Sequence, residues 1–500
     1  MQPYILAIDQ GTSSTKTLLF DQNGQVVARA SEPLKTYYYG DGYVEQNPDE
    51  IYQNVLTSVE KCIGEFTAAG STPGEIAGAG ISNQRETFVV WDSSGKPLYN
   101  ALVWQCKRSV RICERLKANG LEAVVRQKTG LFIDPYFSAT KLIWLAENID
   151  SVRQAIQTGD AFFGTIDTWL LYKLTDGASY FTDYTNASRT LFFNLKTLTW
   201  DAELVDLFGL TGLNLPQPKP SSAYFGKSTF NGLFDQPVQL TALIGDSHAA
   251  AFGEGCFSVG SAKATLGTGC SIIMNTGTTL RESTHGMVST ICWSGEDRSG
   301  QPVVDYALEG VIVTCGATIE WLKNSLELFA ESRETEALAR SVADNGGVYF
   351  IPAFSGLGAP HWQMNRKASI SGMTFGTTKA HVVRAALESI PFQIKDVIMA
   401  MEQDTGIPLT ELRVNGGLTA NGFVLQYLAD LIEKAVINQG MPDVSAQGAA
   451  YLAGLKVGIY HDLEHLEQLI NRQSVIKSNP DNSVVMQAYA GWLNALATNQ

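Results

Sequence analysis

The sequence predicts an α/β fold made of two similar halves. Runs of strand-forming residues alternate with longer segments of helical periodicity, a pattern typical of α/β layers. A hairpin whose turn is rich in Gly, Thr and Ser opens the chain, and a second Gly-Thr hairpin returns at residues 263–275. A chain of 500 residues is also too long to fold around a single small hydrophobic core. We therefore expect two domains, residues 1–252 and 253–500.

Local patterns predict the elements of the first half. Residues 4–8 and 16–20 are rich in apolar and β-branched residues, so they are predicted to be strands. Residues 74–92 contain two further strands around a loop. Helical periodicity predicts helices over residues 51–66 and 142–149.

Two later segments place polar or small residues at strand ends. Residues 238–255 predict a strand, an acidic turn and a short Ala-rich helix. Residues 411–432 predict a strand, a pair of glycines and an amphipathic helix. Strand ends of this kind are common places for binding loops in α/β proteins.

Composition argues against several classes of function. The net charge of −14 disfavours a general affinity for nucleic acid, whose phosphate backbone repels an acidic surface. No run approaches the roughly 20 apolar residues that a membrane span needs. The N-terminus lacks a secretory pattern, and the seven cysteines contain no C-x-x-C pair. We expect a reduced, cytoplasmic protein with no nucleic-acid partner and no membrane span.

The turn of the first hairpin, DQGTSSTK at residues 9–16, has the composition of a phosphate-binding loop. Glycine lets the backbone approach a phosphate group, and the Thr and Ser hydroxyls add donors. Asp9 can act on hydrated Mg²⁺, and Lys16 can reach a phosphate oxygen. A plain polar β-turn has the same composition, so this segment alone leaves both interpretations open.

Two further glycine-rich loops follow along the chain. LGTG at residues 266–269 provides a second cradle for phosphate. NGG at residues 415–417 ends a strand and opens a helix, where exposed N–H groups can receive a phosphate or a nucleoside. No P-loop sequence occurs in the chain. The three loops in this order, with an acid in the first, indicate a nucleotide site.

The three loops resemble those of the actin-like ATPase superfamily, in which two related halves close on ATP. That resemblance implies two similar actin-like (ribonuclease H-like) domains with an interdomain cleft. Two longer segments, YFSATKLIWLAEN from Tyr136 and ASISGMTFGTTKAHVVRAALE from Ala368, resemble the signature segments of the FGGY family of carbohydrate kinases. Shorter segments such as GISNQRET, DYTNASRT and YALEG are most similar to those of members that phosphorylate glycerol. The resemblance covers residues 5–492.

The resemblance implies ATP-dependent phosphorylation, with Mg²⁺, of a terminal hydroxyl of glycerol or a closely related short polyol. It assigns Asp246 as the general base that takes the proton of the attacking hydroxyl, and Asp9 and Asp246 as the metal site. The residues that it assigns to the polyol are Arg85, Glu86, Trp104, Tyr136 and Asp246. Those that it assigns to the phosphates are Thr12, Ser13, Ser14, Lys16, Gly267 and Thr268. Those that it assigns to adenosine are Gly316, Gly417 and Asn421.

Each of the polyol residues also has a purely structural interpretation. Asp246 precedes a helical pattern and could be its N-cap. Arg85 and Glu86 could form an ion pair at a solvated strand end, and both can reach one ligand only if the strand ends there. Trp104 and Tyr136 could be core aromatics.

Two positions depart from the pattern usual in glycerol-phosphorylating members. Ser247 stands where Gln is usual, and Ser271 stands where Phe is usual. Both side chains are smaller, which leaves room for an additional hydroxymethyl group. A kinase for a C4 or C5 polyol or ketose, such as erythritol, ribitol or xylulose, is therefore the alternative function.

Two other classes of protein would share some of these sequence features. A non-kinase actin-like ATPase would keep the two hairpins but has no reason to keep Arg85, Glu86, Trp104 and Tyr136 together. A catalytically inactive binding protein would keep the pocket without needing Asp246. Family members are often oligomeric, so a homodimer or homotetramer is expected.

Overall fold

The computed structural model describes residues 3–296, 300–470 and 474–498. The strands in these residues, in chain order, are β1 Tyr4–Gln10, β2 Ser14–Phe20, β3 Val26–Pro33, β4 Tyr37–Tyr39, β5 Tyr43–Gln46, β6 Ile76–Asn83, β7 Phe88–Trp91, β8 Ala101–Leu102, β9 Ala161–Thr165, β10 Phe181–Asp183, β11 Phe193–Asn194, β12 Thr199–Trp200, β13 Leu213–Asn214, β14 Gln217–Lys219, β15 Ser222–Ser228, β16 Val238–Gly245, β17 Ser261–Leu266, β18 Cys270–Gly277, β19 Val288–Glu296, β20 Pro302–Ile312, β21 Tyr349–Ile351, β22 Ser369–Ser371, β23 Glu411–Asn415, β24 Val436–Asn438 and β25 Ser474–Ile476.

Helices alternate with these strands through most of the chain. The α-helices in the described residues are α1 Pro48–Ala68, α2 Val110–Ala118, α3 Glu122–Thr129, α4 Ser138–Asn148, α5 Asp150–Thr158, α6 Ile166–Leu174, α7 Tyr184–Ala187, α8 Ala202–Leu207, α9 Asp246–Gly253, α10 Gly316–Asn324, α11 Glu334–Arg340, α12 Lys379–Thr405, α13 Gly422–Ile432, α14 Val444–Val457, α15 Leu463–Leu469 and α16 Ser483–Thr498. Short 3₁₀ helices lie at Gly40–Gly42, Pro73–Glu75 and Gly417–Ala420. None of the helices within these described ranges combines the length and apolar character that crossing a bilayer requires.

The first half contains a six-stranded sheet in the order β15-β16-β6-β1-β2-β3. β1, β2 and β3 form an antiparallel meander, and the register of its first hairpin pairs Asp9 with Lys16. β6 runs parallel to β1, and β16 runs parallel to β6. The carboxyl ends of these three parallel strands therefore meet at one edge of the sheet, which is where α/β proteins place their ligands.

The second half repeats this arrangement in a seven-stranded sheet, β19-β20-β18-β17-β23-β24-β25. β17 and β18 form the second hairpin, β20 is the third antiparallel strand, and β23 runs parallel to β17. Both sheets thus join an antiparallel hairpin to parallel strands on its other side. The predicted α/β fold with two similar halves is confirmed.

A further six-stranded sheet, in the order β13-β9-β7-β8-β5-β4, extends the first half. Its apolar face packs with α4 and α5 in a core that includes Phe88, Phe163 and Leu142. The chain leaves β8 just before Trp104 and enters α4 just after Tyr136. This added layer therefore positions both aromatic residues of the predicted polyol pocket.

The predicted helices are present, with different starting points. α1 begins at Pro48 because the Asn47 side chain caps it, accepting from two backbone N–H groups. α4 begins at Ser138 rather than at residue 142. Its first turn contains the polar residues Ser138, Thr140 and Lys141, which are nevertheless buried, so hydrophobic periodicity did not reveal it.

A helix from the second half of the sequence packs on the first sheet. α14 lies against β6, β1 and α9, and its small residues share a core with Ala7 and Ile244. A Cβ atom on Gly80 would collide with the carbonyl of Ala449, so glycine permits this close approach. The two halves are therefore joined by shared packing as well as by the chain, and the boundary at residue 252 stays a prediction.

Candidate active site

Asp246 lies at the edge where the parallel strands of the first sheet end. It is the first residue of α9, directly after β16, and its side chain is 38% exposed. The N-cap of α9 is Gly245, so Asp246 does not occupy the capping position that was the alternative interpretation. Its Oδ1 accepts a hydrogen bond of 2.6 Å from the Ser247 N–H, and its carbonyl accepts from Ser445 Oγ. The carboxylate is thus oriented but still accessible.

Arg85 connects Asp246 to the second half of the chain. Its Nη1 and Nη2 donate to the two carboxylate oxygens of Glu309 at 3.1 and 2.8 Å. Its Nε lies 3.4 Å from Asp246 Oδ1. Because Glu309 belongs to β20, this bidentate pair joins the two sheets beside the candidate base.

Glu86 pairs with a different arginine. It accepts a 2.6 Å hydrogen bond from Arg189 Nε, and Arg189 Nη1 lies 2.8 Å from Glu309. β6 ends at Asn83, and Glu86 has a φ of +61°, so the chain turns out of the strand before these residues. Arg85 and Glu86 are both buried, so the interpretation as a solvated ion pair is wrong.

The buried side chains of Arg85, Arg189, Glu86 and Glu309 form one network of opposite charges. Burial alone would raise the pKa of Glu309, but the charges of Arg189 and Arg85 outweigh it and hold that pKa well below its usual value. His248 lies in the same region, with Nε2 at 3.2 Å from Thr290 Oγ1. Burial and the charge of Arg85 hold the pKa of His248 well below its usual value, so its ring is neutral.

Trp104 and Tyr136 form an aromatic wall at this site. Their rings meet edge to face with centroids 5.6 Å apart, and the Tyr136 ring lies 5.9 Å from the Arg189 guanidinium carbon. Trp104 Nε1 donates to Thr12 Oγ1 at 2.9 Å. Both side chains are half-buried: they pack against the core but keep part of their surface exposed, so neither is a fully enclosed core aromatic.

The first hairpin lies beside this wall. A hydrogen bond from the Gly11 N–H to the Ser14 carbonyl closes its turn, and Ser13 is exposed at the tip. The Thr12 hydroxyl accepts from Trp104 Nε1 and donates to Gln84 Oε1 at 3.3 Å, so it already has protein partners. The turn between β1 and β2 therefore exposes Ser13, while Thr12, Ser14 and Lys16 are half-buried beside it.

The charged residues of the first hairpin have partners on neighbouring elements. Lys16 Nζ donates to Asp443 Oδ1 at 2.7 Å, just before α14 begins. Asp9 Oδ1 accepts from Ser82 Oγ at 3.0 Å. Burial and the charge of Asp246 raise the pKa of Asp9 to about 7. Asp9 thus senses the negative charge of Asp246, and the metal site at these two residues stays a prediction.

The second hairpin and the predicted adenosine loops also converge. Gly316, at the start of α10, donates its N–H to the Gly267 carbonyl at 2.9 Å, and Ala317 donates to the Thr268 carbonyl. Gly416 has a φ of +97°, and a Cβ atom there would lie 2.5 Å from the Leu266 carbonyl oxygen. The structure thus brings Gly267, Thr268, Gly316 and Gly417 to one place.

Asn421 and Ser271 have specific structural partners. Asn421 caps α13, accepting from the Val424 N–H, and its amide donates to Thr335 Oγ1. Its side chain therefore stabilises the start of α13, and a contact with adenosine stays a prediction. Ser271 is half-buried on β18 and donates to Glu309 Oε1 at 3.1 Å, while Ser247 follows Asp246 on α9.

Sequence reasoning missed three residues of this site, Arg189, Glu309 and His248. Glu309 stands in the strand segment YALEG, and a Glu in an apolar strand is almost never fully buried without a cationic partner. That unusual placement was the available signal. The partner itself could not be identified, since Arg85 lies 224 positions away in the chain.

The fold consists of two similar α/β halves, and the residues predicted to bind the polyol lie beside the first of two glycine-rich hairpins. Residues 4–253 match the N-terminal domain of the FGGY family of carbohydrate kinases, and residues 262–457 match its C-terminal domain. The chain belongs to the FGGY family of carbohydrate kinases. The sequence-based assignment to this family is confirmed.

Several known proteins resemble this chain over nearly its whole length. The chain is 44% identical over 494 residues to the glycerol kinase of Carboxydothermus hydrogenoformans, covering 99% of this chain and 97% of that protein. It is 42% identical to the glycerol kinase of Bacillus anthracis, covering 99% of both. A solved structure of Plasmodium falciparum glycerol kinase with ADP superposes with a TM-score of 0.94 at 36% identity, covering 100% of this chain and 98% of that one. Gluconate kinase from Lactobacillus acidophilus, at 23% identity and a TM-score of 0.88 over 100% and 99% of the two chains, shares the fold.

Proposed function

We propose that this protein transfers the γ-phosphoryl group of ATP to a terminal hydroxyl of glycerol. The observation that carries the proposal is the position of Asp246, a half-exposed carboxylate at a strand end with Arg85 at 3.4 Å. Phosphoryl transfer depends mainly on positioning and charge neutralisation, together with a carboxylate that orients the nucleophile. The extensive similarity to proteins named glycerol kinase supports glycerol as the acceptor.

In this proposal the acceptor lies between charged and aromatic groups. Arg85 and Glu86 provide a donor and an acceptor for polyol hydroxyls in fixed positions, since each is held by a buried partner. Trp104 and Tyr136 cover the C–H face of the polyol and exclude water. Asp246 then accepts the proton of the hydroxyl that attacks the phosphorus.

ATP binds across the two hairpins in this proposal. The backbone of residues 12–14 and the Lys16 ammonium receive the phosphates from one side, and Gly267 and Thr268 receive them from the other. Gly316, Gly417 and Asn421 form the surroundings of adenosine, where two short helices begin.

The carboxylates of Asp9 and Asp246 fit Mg²⁺. Burial and a neighbouring negative charge raise the pKa of Asp9, and a cation between these carboxylates would relieve that repulsion. No cluster of three or more metal-binding side chains occurs in the parts of the chain that the structure describes. Two carboxylates suit Mg²⁺, which usually keeps water and phosphate oxygens as its other ligands. The ion would neutralise charge on the phosphates.

The alternative acceptor is a C4 or C5 polyol or ketose. The observation in its favour is Ser271, a small, half-buried residue whose hydroxyl faces Glu309 beside Arg85. A longer polyol could place an extra hydroxyl near this group. Comparing kcat/KM for glycerol, erythritol, ribitol and xylulose separates the two acceptors, and a lead of orders of magnitude for glycerol excludes the alternative.

The test of the main proposal is ADP formation with saturating Mg-ATP, with and without glycerol. A kinase forms ADP in step with added polyol, and Asp246→Asn removes most of kcat. ADP formation that no polyol stimulates would favour a non-kinase ATPase and contradict the proposal. We also propose that the protein is cytoplasmic and forms a homodimer or homotetramer. Light scattering after size-exclusion chromatography measures the oligomeric state.

A further inference from the structure

A lysine ammonium is fully buried beside the loop that carries Tyr136. Lys141 is the fourth residue of α4, and its side chain has no exposed surface. Burying an ammonium is costly unless it is paired, and the N-terminus of a helix repels positive charge. Within residues 3–296, 300–470 and 474–498, Lys141 forms no ion pair with a carboxylate. Its stabilisation must therefore come from another source.

Three consecutive backbone carbonyls provide that stabilisation. Lys141 Nζ donates to the carbonyl oxygens of Pro135 at 2.7 Å, Tyr136 at 2.7 Å and Phe137 at 2.9 Å. An ammonium has three N–H donors, so all of them are used. Three carbonyl oxygens that converge on one point repel each other unless a cation lies between them. The charge of Lys141 therefore stabilises the backbone conformation in which the carbonyl groups of residues 135–137 all point to its Nζ atom.

This backbone positions the Tyr136 ring. The Tyr136 N–H donates to Asp134 Oδ1 at 2.8 Å, while its carbonyl accepts from Lys141. The peptide groups on both sides of Tyr136 are thus held in place, and the ring meets Trp104 at 5.6 Å. In the residues that the structure describes, the Lys141 ammonium hydrogen-bonds to the carbonyls of residues 135–137. Its contact with the acceptor pocket therefore runs through the backbone that carries Tyr136, while its charge also acts on the buried carboxylate of Glu86.

We propose that Lys141 is a positioning residue for the acceptor pocket, because its ammonium holds Tyr136 against Trp104. This inference rests on the proposed function, since acceptor binding is its readout. Loss of the ammonium frees residues 135–137, so affinity for the acceptor falls. Affinity for ATP is unchanged, because the two hairpins are held by other contacts.

The proposal also predicts a dependence on pH. Burial lowers the pKa of Lys141 to about 8, although Cys106, Glu86, Asp134 and Cys113, the titratable groups that face it, all favour the charged form. The neutral amine has only two N–H donors, and its lone pair would face the third carbonyl. Acceptor KM is therefore expected to rise by about threefold or more between pH 7 and pH 9, the effect of one lost hydrogen bond.

The contribution of Lys141 to the free energy of unfolding should rise with pH, whereas the affinity for the acceptor should fall. The pKa of Lys141 in the folded protein lies below the value of about 10.4 expected in the unfolded chain. Between these values the unfolded chain binds more protons, so the contribution of Lys141 to stability rises with pH. A weaker acceptor affinity at pH 9 would therefore not result from unfolding driven by this residue.

The experiment measures KM for glycerol, KM for ATP and kcat at pH 7 and pH 9. Lys141→Met keeps an unbranched chain without charge and should raise glycerol KM at pH 7 by about tenfold, leave ATP KM within about twofold and abolish the pH dependence. Lys395→Met is the matched control, because Lys395 also donates to a backbone carbonyl, that of Leu431. It should behave as the wild type.

A double variant tests the route through Tyr136. Lys141→Met added to Tyr136→Ala should raise glycerol KM no further than Tyr136→Ala alone, since the two residues act as a unit. Additive effects, or equal rises in both KM values, would overturn the inference. Should Lys141→Met not fold, a wild-type glycerol KM that stays flat from pH 7 to pH 9 overturns it. A protein that phosphorylates no polyol contradicts the proposed function itself, a result distinct from the flat profile.

Discussion

Removing the charge of Glu309 should destabilise the protein strongly. Glu309→Gln keeps the shape of the side chain but leaves the buried guanidinium groups of Arg85 and Arg189 without their shared anion. The structure shows three charged contacts to this carboxylate, at 3.1, 2.8 and 2.8 Å, with the side chain of Glu309 completely buried. Removing one partner of a buried ion pair costs about 3–5 kcal/mol. We expect the free energy of unfolding to fall by that amount.

Urea unfolding followed by tryptophan fluorescence measures this loss. The control is Glu147→Gln, because Glu147 pairs with Arg115 on the surface, where the two side chains are 44% and 49% exposed. Exposed pairs contribute little, so the control should change the free energy of unfolding by less than about 1 kcal/mol. If the two variants lose the same stability, the buried network around Glu309 does not stabilise the contact between the two halves.

Three other substitutions test the remaining parts of the site. Asp246→Asn should lower kcat by about 10²–10⁴-fold with unchanged unfolding, and retention of most of kcat would exclude a general base at this position. Ser271→Phe should lower kcat/KM for erythritol relative to glycerol by about tenfold, whereas an unchanged ratio would show that Ser271 does not contact the acceptor. Asp443→Asn should lower ATP KM by about twofold to fivefold, because Asp443 competes with phosphate for Lys16; a higher ATP KM would contradict this competition.

Short-range patterns were enough to predict much of the fold. The turn at residues 9–16, the hairpin at 263–275 and the apolar spacing of residues 51–66 each depend on neighbours in the chain, so they are readable from local sequence. The family resemblance then indicated which residues to assign to the site. The first turn of α4 was missed because Ser138, Thr140 and Lys141 are polar yet buried, which periodicity cannot show.

The sequence by itself determined the types of element, their order and the residue chemistry of the two hairpins. The partners of the buried charges were decided only by the tertiary structure. Arg85 meets Glu309 across 224 positions, and α14 packs on the first sheet although it belongs to the second half of the chain. The physical reason is that a charge can be buried only where an opposite charge or a set of dipoles lies next to it. The packing of elements that are distant in the chain decides which groups become such neighbours.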